Sequence, residues 1–70
     1  MNKAMLKSAM ARNGENQETL SEALDMAVSA LNARINGHTE FRCSEIGKIV
    51  HRYKLSPEET NAIFFNEVAS

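Results

Sequence analysis

Side chains that can hydrogen-bond to another molecule are concentrated in the middle of this 70-residue chain. They follow position 28 at short intervals: Ser29, Asn32, Asn36, His38, Thr39 and Arg42. Hydroxyl, amide and guanidinium groups can pair with the donors and acceptors of a partner. Catalysis would need a converging nucleophile, base and orienting group, or a glycine-rich loop that cradles phosphate, and the sequence has neither pattern. These residues therefore indicate binding, and we do not expect an enzyme.

The composition is that of one small folded domain covering residues 1 to 70. Hydrophobic residues make up 43% of the chain, enough for a single core, and no linker rich in glycine, serine or proline divides it. The lone Cys43 excludes an internal disulfide and is expected in the core as a small apolar residue. No Cys and His spacing fits zinc, so we expect no metal, no cofactor and no small-molecule ligand.

Hydropathy predicts a cytoplasmic protein with no membrane partner. No apolar run approaches the roughly 20 residues that span a bilayer, and the N-terminus lacks the apolar stretch of a signal peptide. The net charge of −1 argues against a strongly basic protein that wraps nucleic acid. The charges are nevertheless separated, because residues 1 to 12 carry only basic and residues 13 to 25 only acidic side chains. Residues 26 to 54 again carry an excess of basic side chains, so one face could meet phosphate while another stays acidic.

Apolar spacing and capping residues predict the first two helices. The first runs from Lys3 to Arg12 and ends at Asn13-Gly14. The second begins after Asn16, whose side chain can accept an N–H of the first turn, and continues through Leu24. Its expected inward positions are Leu20, Ala23 and Leu24.

The apolar pattern resumes at Val28, Leu31 and Ile35, and Asn36-Gly37 supplies a left-handed cap that ends a third helix. The second and third helices are separated by only about three or four residues. This spacing predicts a helix-turn-helix at about residues 17–36, with an ordinary helical hairpin as the alternative.

Two further helices follow a loop from His38 to Arg42. Apolar residues of the fourth repeat at helical spacing: Cys43, Ile46, Ile49, Val50 and Tyr53. Ser56, Pro57 and Glu59 form the capping box of the fifth. The methionines at positions 1, 5, 10 and 26 are interpreted as the start residue and core filler.

One set of residues has an order and spacing more specific than the helix pattern itself. It consists of Gln17, Leu20, Ser21, Leu31, Asn36-Gly37, Glu40-Phe41, Ser44-Glu45-Ile46, Leu55 to Glu59 and Ile63 to Phe65. In this order they resemble the Cro and repressor family of helix-turn-helix transcriptional regulators, and in particular the small Cro-like regulators of phages and prophages. The resemblance covers almost the full chain. It implies an all-α, five-helix, lambda-repressor-like DNA-binding domain.

The resemblance also implies which residues meet the bases of a double-stranded DNA operator. The third helix would enter the major groove, where each base pair presents a distinct pattern of donors and acceptors. The implied base contacts are Val28, Ser29, Asn32 and Ala33. Asn32 could pair bidentately with adenine and Val28 or Ala33 could pack against thymine methyl groups, which gives an A/T-containing half-site as a hypothesis.

A second implied set would bind the sugar-phosphate backbone and position the protein. Gln17, at the start of the second helix, matches the glutamine that anchors the backbone in this family. The others lie in or beside the loop after the third helix: Asn36, His38, Thr39 and Arg42. Arg12 and Arg34 are weaker candidates.

Some residues depart from the family pattern. Asp25 replaces a glycine common in the turn, Ala27 replaces a capping residue, and Val28 stands where many relatives are polar. Aspartate tolerates the left-handed backbone, whereas alanine at an N-cap costs about 1 kcal/mol relative to serine.

The fifth helix has more apolar surface than one buried face requires. Phe64, Phe65 and Val68 cannot all point the same way, so they are candidates for contacts in a homodimer. The preferred function is repression by a dimer that occludes promoter DNA, and the short chain favours a Cro-like regulator over a longer repressor. The alternative is an anti-repressor or protein-interaction module that keeps the helix-turn-helix core without reading DNA.

Overall fold

Helices make up the regular structure of residues 1–65, the part of the chain that the computed structural model describes. They are α1 (Lys3–Arg12), α2 (Gln17–Ala23), α3 (Val28–Ile35), α4 (Cys43–Tyr53) and α5 (Pro57–Thr60), and α5 continues directly as a π-helical turn (Asn61–Phe65). The all-α prediction is confirmed for these residues, which contain no strand. Val68, one of the predicted dimer contacts, lies outside them. Within the same range, no helix has the length and apolar content that crossing a membrane would require.

Side-chain caps fix where three of the helices begin. The Asn2 side chain accepts from the Met5 N–H at α1, and Asn16 and Thr19 form a reciprocal capping box at α2. Ser56 and Glu59 form the predicted box at α5, with Pro57 as its first residue. Such caps satisfy N–H groups that have no partner inside the helix, and each contributes about 1 kcal/mol. Ala27 at the start of α3 makes no side-chain cap, as its residue type predicted.

Left-handed residues fix where the first four helices end. The residues are Gly14 (φ 66°), Asp25 (57°), Gly37 (83°) and Lys54 (53°). At each of them the next residue donates its N–H to the carbonyl five positions earlier, as His38 does to Ala33 at 2.9 Å. This is the Schellman motif, which reverses the chain within two residues. The predicted cap at Asn36-Gly37 and the tolerance of Asp25 for this backbone are both confirmed.

The core takes one large, fully buried aliphatic side chain from each of α1 to α4 and one from the π-helical turn. They are Leu6, Leu20, Leu31, Ile49 and Ile63. The buried hydrophobic set is completed by Ala9, Met10, Leu24, Ile35, Tyr53 and Leu55. The N-terminus of α1 is tied to the same centre because the Asn2 N–H donates to the Ile63 carbonyl at 2.7 Å.

Some of the predicted core positions were wrong. Cys43 is exposed because it occupies the first turn of α4, before that helix reaches the core. Ala23 is exposed because Leu20, Ser21 and Leu24 already fill the inward side of the short α2. Among the methionines, Met10 is buried and Met26 half-buried, whereas Met1 and Met5 are exposed.

Ion pairs connect helices that are distant in sequence. Arg12 pairs with Glu59, Arg34 with Glu45, and Arg52 with Glu15 through two hydrogen bonds of 2.8 and 2.5 Å. The Arg52 guanidinium lowers the pKa of Glu15 to about 2, against the opposing effect of desolvation. The Tyr53 hydroxyl lies buried in this region without a hydrogen-bond partner among residues 1–65. Burial and the nearby Glu15 raise the pKa of Tyr53.

The left-handed backbone at Lys54 predicts that glycine stabilises this position. A β-carbon in that conformation costs about 1 kcal/mol or more, part of which the greater freedom of glycine in the unfolded chain offsets. We expect Lys54→Gly to raise the free energy of unfolding by about 0.5 kcal/mol, and Asp25→Gly by less, because aspartate tolerates the conformation better. Urea unfolding measures both.

The matched control is Lys48→Gly, which places glycine inside α4 and should lower the free energy of unfolding by about 1 kcal/mol. A destabilised Lys54→Gly protein would contradict the structure at the end of α4.

The Glu15–Arg52 pair predicts an acid-dependent loss of stability. A pKa lowered in the folded state stabilises the protein fully above the usual value of 4.5, and this contribution disappears as pH falls towards about 2. At pH 7 we expect Glu15→Gln to lower the free energy of unfolding by about 1 kcal/mol, a modest value because Arg52 is partly exposed. Urea unfolding at pH 7, 4 and 2.5 should show the native and variant proteins converging; an undiminished difference at pH 2.5 would exclude the ion pair as its cause.

Candidate nucleic-acid interface

Val28, Ser29 and Asn32 form an exposed row along one side of α3, which we call the α3 face. The row has the i, i+1, i+4 spacing of one helix side, and the buried Leu31 and Ile35 occupy the adjacent side. Val28 is 41% exposed, although an apolar residue in the first turn of a helix could have turned towards the core. Three of the four predicted base contacts therefore reach solvent together.

Ala33, the fourth predicted base contact, lies at the edge of this row. Its side chain is half-buried, and its carbonyl accepts the N–H of His38 at 2.9 Å in the cap of α3. The structure thus gives Ala33 a part in ending the helix and leaves it less accessible than its neighbours.

The orientation of α3 is set by its contact with α2. The two helices pack against each other across the four-residue connection 24–27. Ser21 is only 2% exposed, and its hydroxyl donates to the Glu18 carbonyl at 2.8 Å, so burial leaves no unpaired polar group on this side chain. A small, satisfied side chain here lets α2 and α3 approach closely and hold the α3 face outward.

Gln17, the predicted backbone anchor, is the first residue of α2 and is half-buried. It lines a shallow depression together with Lys7, Met10, Glu15 and Asn16. Lys7 makes no ion pair among the described residues, whereas Glu15 is paired with Arg52, so the unpaired charge at this depression is positive. Sequence reasoning missed Lys7 as a partner of Gln17, because only the packing of α1 against the start of α2 brings the two together.

The predicted backbone contacts after α3 are all exposed, but they differ in what their side chains do. His38 and Thr39 follow the cap of α3, and Arg42 precedes α4, where its N–H donates to the Glu45 carboxylate at 2.9 Å. The Asn36 side chain is already engaged, since it donates to Asn32 and accepts from Lys3. Lys3 therefore joins the site, and its place 33 positions earlier in the chain gave no sequence signal.

The basic side chains fall into two groups. Three arginines, including the weaker candidates Arg12 and Arg34, are held in ion pairs with glutamates. The remaining cations make no ion pair within residues 1–65: Lys3, Lys7, Arg42, Lys48 and Lys54. Lys3 and Lys7 border the α3 face and Gln17 respectively, so positive charge flanks the candidate interface despite the net charge of −1.

The predicted dimer contacts Phe64 and Phe65 lie on different sides of the π-helical turn. Phe64 is half-buried and packs edge-on against Phe41, with ring centroids 5.6 Å apart. Phe65 is 55% exposed. The expectation that these side chains diverge is confirmed, and only Phe65 has a large accessible surface for a partner.

Within the described part of the chain, no cluster of His, Cys, Asp and Glu could hold a metal ion. No protein-family model, curated protein or solved structure matches the chain. What the site does must therefore follow from the geometry of its own residues.

Proposed function

We propose that this protein is a sequence-specific regulator that binds double-stranded DNA with the helix-turn-helix of a lambda-repressor-like domain. The observation that carries the proposal is the α3 face, an exposed row of Val28, Ser29 and Asn32 on a short helix that packs against α2. A helix of this kind fits the major groove of B-DNA, where amide, hydroxyl and methyl groups have matching partners on the base edges.

Each residue of the α3 face has a chemical counterpart in the groove. Val28 offers apolar surface to a thymine methyl group, which supports an operator half-site containing A/T pairs. Ser29 can donate or accept, and Asn32 presents an amide. Exposure of the apolar Val28 side chain is unfavourable in water, and this cost is relieved once DNA covers it.

The flanking side chains suit the phosphate backbone. Gln17 and Lys7 would bind on one side of α3, and His38, Thr39 and Arg42 on the other, with Asn36 held between Asn32 and Lys3. Such contacts fix the position of α3 without reading sequence. Because few cations are available, binding should depend on base contacts more than it does in strongly basic proteins.

A dimer bound to two DNA half-sites about one helical turn apart would cover promoter DNA and so repress transcription. Phe65 supports the dimer because it is a large aromatic side chain left exposed at the end of the described chain. A Cro-like repressor at phage or prophage operators, working in the cytoplasm on the nucleoid, is the form of this function that we propose.

An anti-repressor or protein-interaction module is the second candidate. It is favoured by the acidic side of α2, where Glu18 and Glu22 are exposed and make no ion pair among residues 1–65, and by the exposed Phe65. Such a protein would bind another regulator through α2 and the π-helical turn, and the α3 face would have no DNA partner.

Fluorescence anisotropy with duplexes selected from a random pool tests the proposal. We expect selective, salt-sensitive binding that the double variant Gln17→Ala, Asn32→Ala reduces by about tenfold or more, since one good base contact alone is worth about 1–3 kcal/mol.

The dependence of affinity on salt concentration tests the phosphate contacts. Lys7→Met should lower the slope of log affinity against log salt concentration by about 1. Lys48→Met should leave this slope unchanged, because Lys48 lines a separate groove beside Ala23. No binding at micromolar protein and low salt would favour the interaction module.

The role of Phe65 has its own test. Sedimentation at high micromolar concentration, with and without operator DNA, should show dimers of the native protein at least on DNA. Phe65→Ser should weaken dimerisation and leave thermal stability nearly unchanged, because this side chain is exposed in the monomer. Phe64→Ser is the contrasting control, since it removes the contact with Phe41 and should destabilise the fold. A strict monomer in both conditions would remove the dimer from the proposal.

A further inference from the structure

One carboxylate oxygen holds the two sides of the segment between α3 and α4, residues 36–42, which we call the 36–42 connection. Glu45 Oε1 accepts from Arg34 Nε at 2.8 Å and from the Arg42 main-chain N–H at 2.9 Å. Arg34 belongs to α3, and Glu45 lies in the first turn of α4. The two helices are therefore tied to each other directly, and the last residue of the connection is tied to both.

The Arg34–Glu45 pair is the most enclosed of the three ion pairs found within residues 1–65. Its side chains are 16% and 13% exposed, whereas the arginines of the other two pairs are 59% and 44% exposed. Partial exclusion of water strengthens the attraction between the two charges. The pair is neutral as a whole, so Glu45 can cap α4 beside a phosphate-binding segment with little repulsion of phosphate. Arg34, a weaker candidate for a phosphate contact, thus has an internal partner in the free protein.

The start of the connection is fixed by the cap of α3. The N–H groups of His38 and Thr39 both donate to the Ala33 carbonyl, at 2.9 and 3.4 Å. Both residues are exposed, so their side chains stay accessible while their main chain is held. A segment held in this way binds a partner without first having to be ordered.

The end of the connection depends on Glu45. The N–H groups of Glu40 and Phe41 make no hydrogen bond among residues 1–65, although the Phe41 ring packs on Phe64. The next N–H along the chain is that of Arg42, and Glu45 is its acceptor. Without this acceptor, three consecutive N–H groups would have no partner in the described part of the protein, and the main chain there would gain freedom.

We propose that Arg34 and Glu45 are positioning residues that hold the 36–42 connection in its DNA-binding conformation before DNA is bound. This inference rests on the proposed function and specifies how its phosphate contacts are prepared. The exposed side chains of the connection then meet the sugar-phosphate backbone with only their own rotamers left to order. Binding avoids the entropy cost of ordering a flexible main chain. Neither Arg34 nor Glu45 touches DNA in this arrangement.

Main-chain NMR relaxation of the free protein is the first test. For residues 38–42 of the native protein we expect the order parameters of a rigid main chain, about 0.85, and Glu45→Ala should lower them towards about 0.6. Glu45→Gln should keep the rigid values, because its amide oxygen can still accept the Arg42 N–H. The amides of α1 and α2 in the same spectra show whether each variant is folded. Equal order parameters in the native protein and Glu45→Ala would overturn the inference.

The matched control is Glu59→Ala. Glu59 also accepts a main-chain N–H at the start of a helix and pairs with an arginine, but it does so at α5. Its loss should leave residues 38–42 rigid. Loosening of these residues by Glu59→Ala as well would show a general effect of losing a cap and would refute a specific role for Glu45.

DNA affinity tests what the rigid connection contributes. Glu45→Ala and Glu59→Ala have the same net charge, and each releases one arginine from its ion pair. Glu45→Ala should bind every duplex about fivefold more weakly than Glu59→Ala, the cost of ordering about one residue, with unchanged base preference. In the complex, its residues 38–42 should regain the order parameters of the native protein. Equal affinities of the two variants, or a changed base preference, would contradict the positioning role.

The proposed function and the inference can fail separately. Suppose that residues 38–42 are rigid, that Glu45→Ala loosens them, and that no duplex binds at micromolar protein and low salt. This result would defeat the proposed function and support the contact that Glu45 makes in the fold. DNA binding by a native protein whose residues 38–42 are already flexible would support the proposed function and overturn the inference.

Discussion

Every helix within residues 1–65 is shorter than the roughly 12 residues at which an isolated helix becomes even marginally stable, so the shared core is the constraint on which the structure depends. The core is small, and each of α1 to α4 contributes one large, fully buried aliphatic side chain to it, as does the π-helical turn. Removing any one of these helices would expose the buried side chains of the others to water. The α3 face is therefore held in place by the whole molecule, although α2 is its immediate support.

Compact reversals of direction make such a core possible in so few residues. Four Schellman caps turn the chain, two at glycine and two at residues for which the left-handed backbone is strained, Asp25 and Lys54. Asp25 lies in the connection between α2 and α3, where the turn decides how α3 is presented. Strain at this point is compensated by the core packing of Leu24 and Leu31 on either side.

Local sequence signals predicted the fold far better than they predicted the site. Asn16, Ser56 and Gly37 fix helix ends through contacts with residues three to five positions away, so their roles could be inferred from spacing alone. Cys43 and Ala23 were misplaced because apolar character does not say which side of a short helix faces the core. The partners Lys3 and Lys7 depend on how α1 packs against later helices, and no local pattern encodes such contacts. The exposure of Ser29 and Asn32 followed from helical periodicity. The exposure of Val28 did not, because the same periodicity places it on the apolar stripe with the buried Leu31 and Ile35.

The buried hydroxyl of Tyr53 allows alkaline unfolding to be followed by the absorbance of the protein itself. The chain contains one tyrosine and no tryptophan, so the near-ultraviolet absorbance of tyrosinate reports on this single phenol. Because burial raises the pKa of Tyr53, the folded state binds its proton more tightly than the unfolded state does. Stability is therefore complete below the unfolded pKa of about 10 and falls as pH rises above it. The appearance of tyrosinate would then follow the opening of the core around Leu55 and Ile49, and the same optical signal would measure ionisation and cooperative unfolding together.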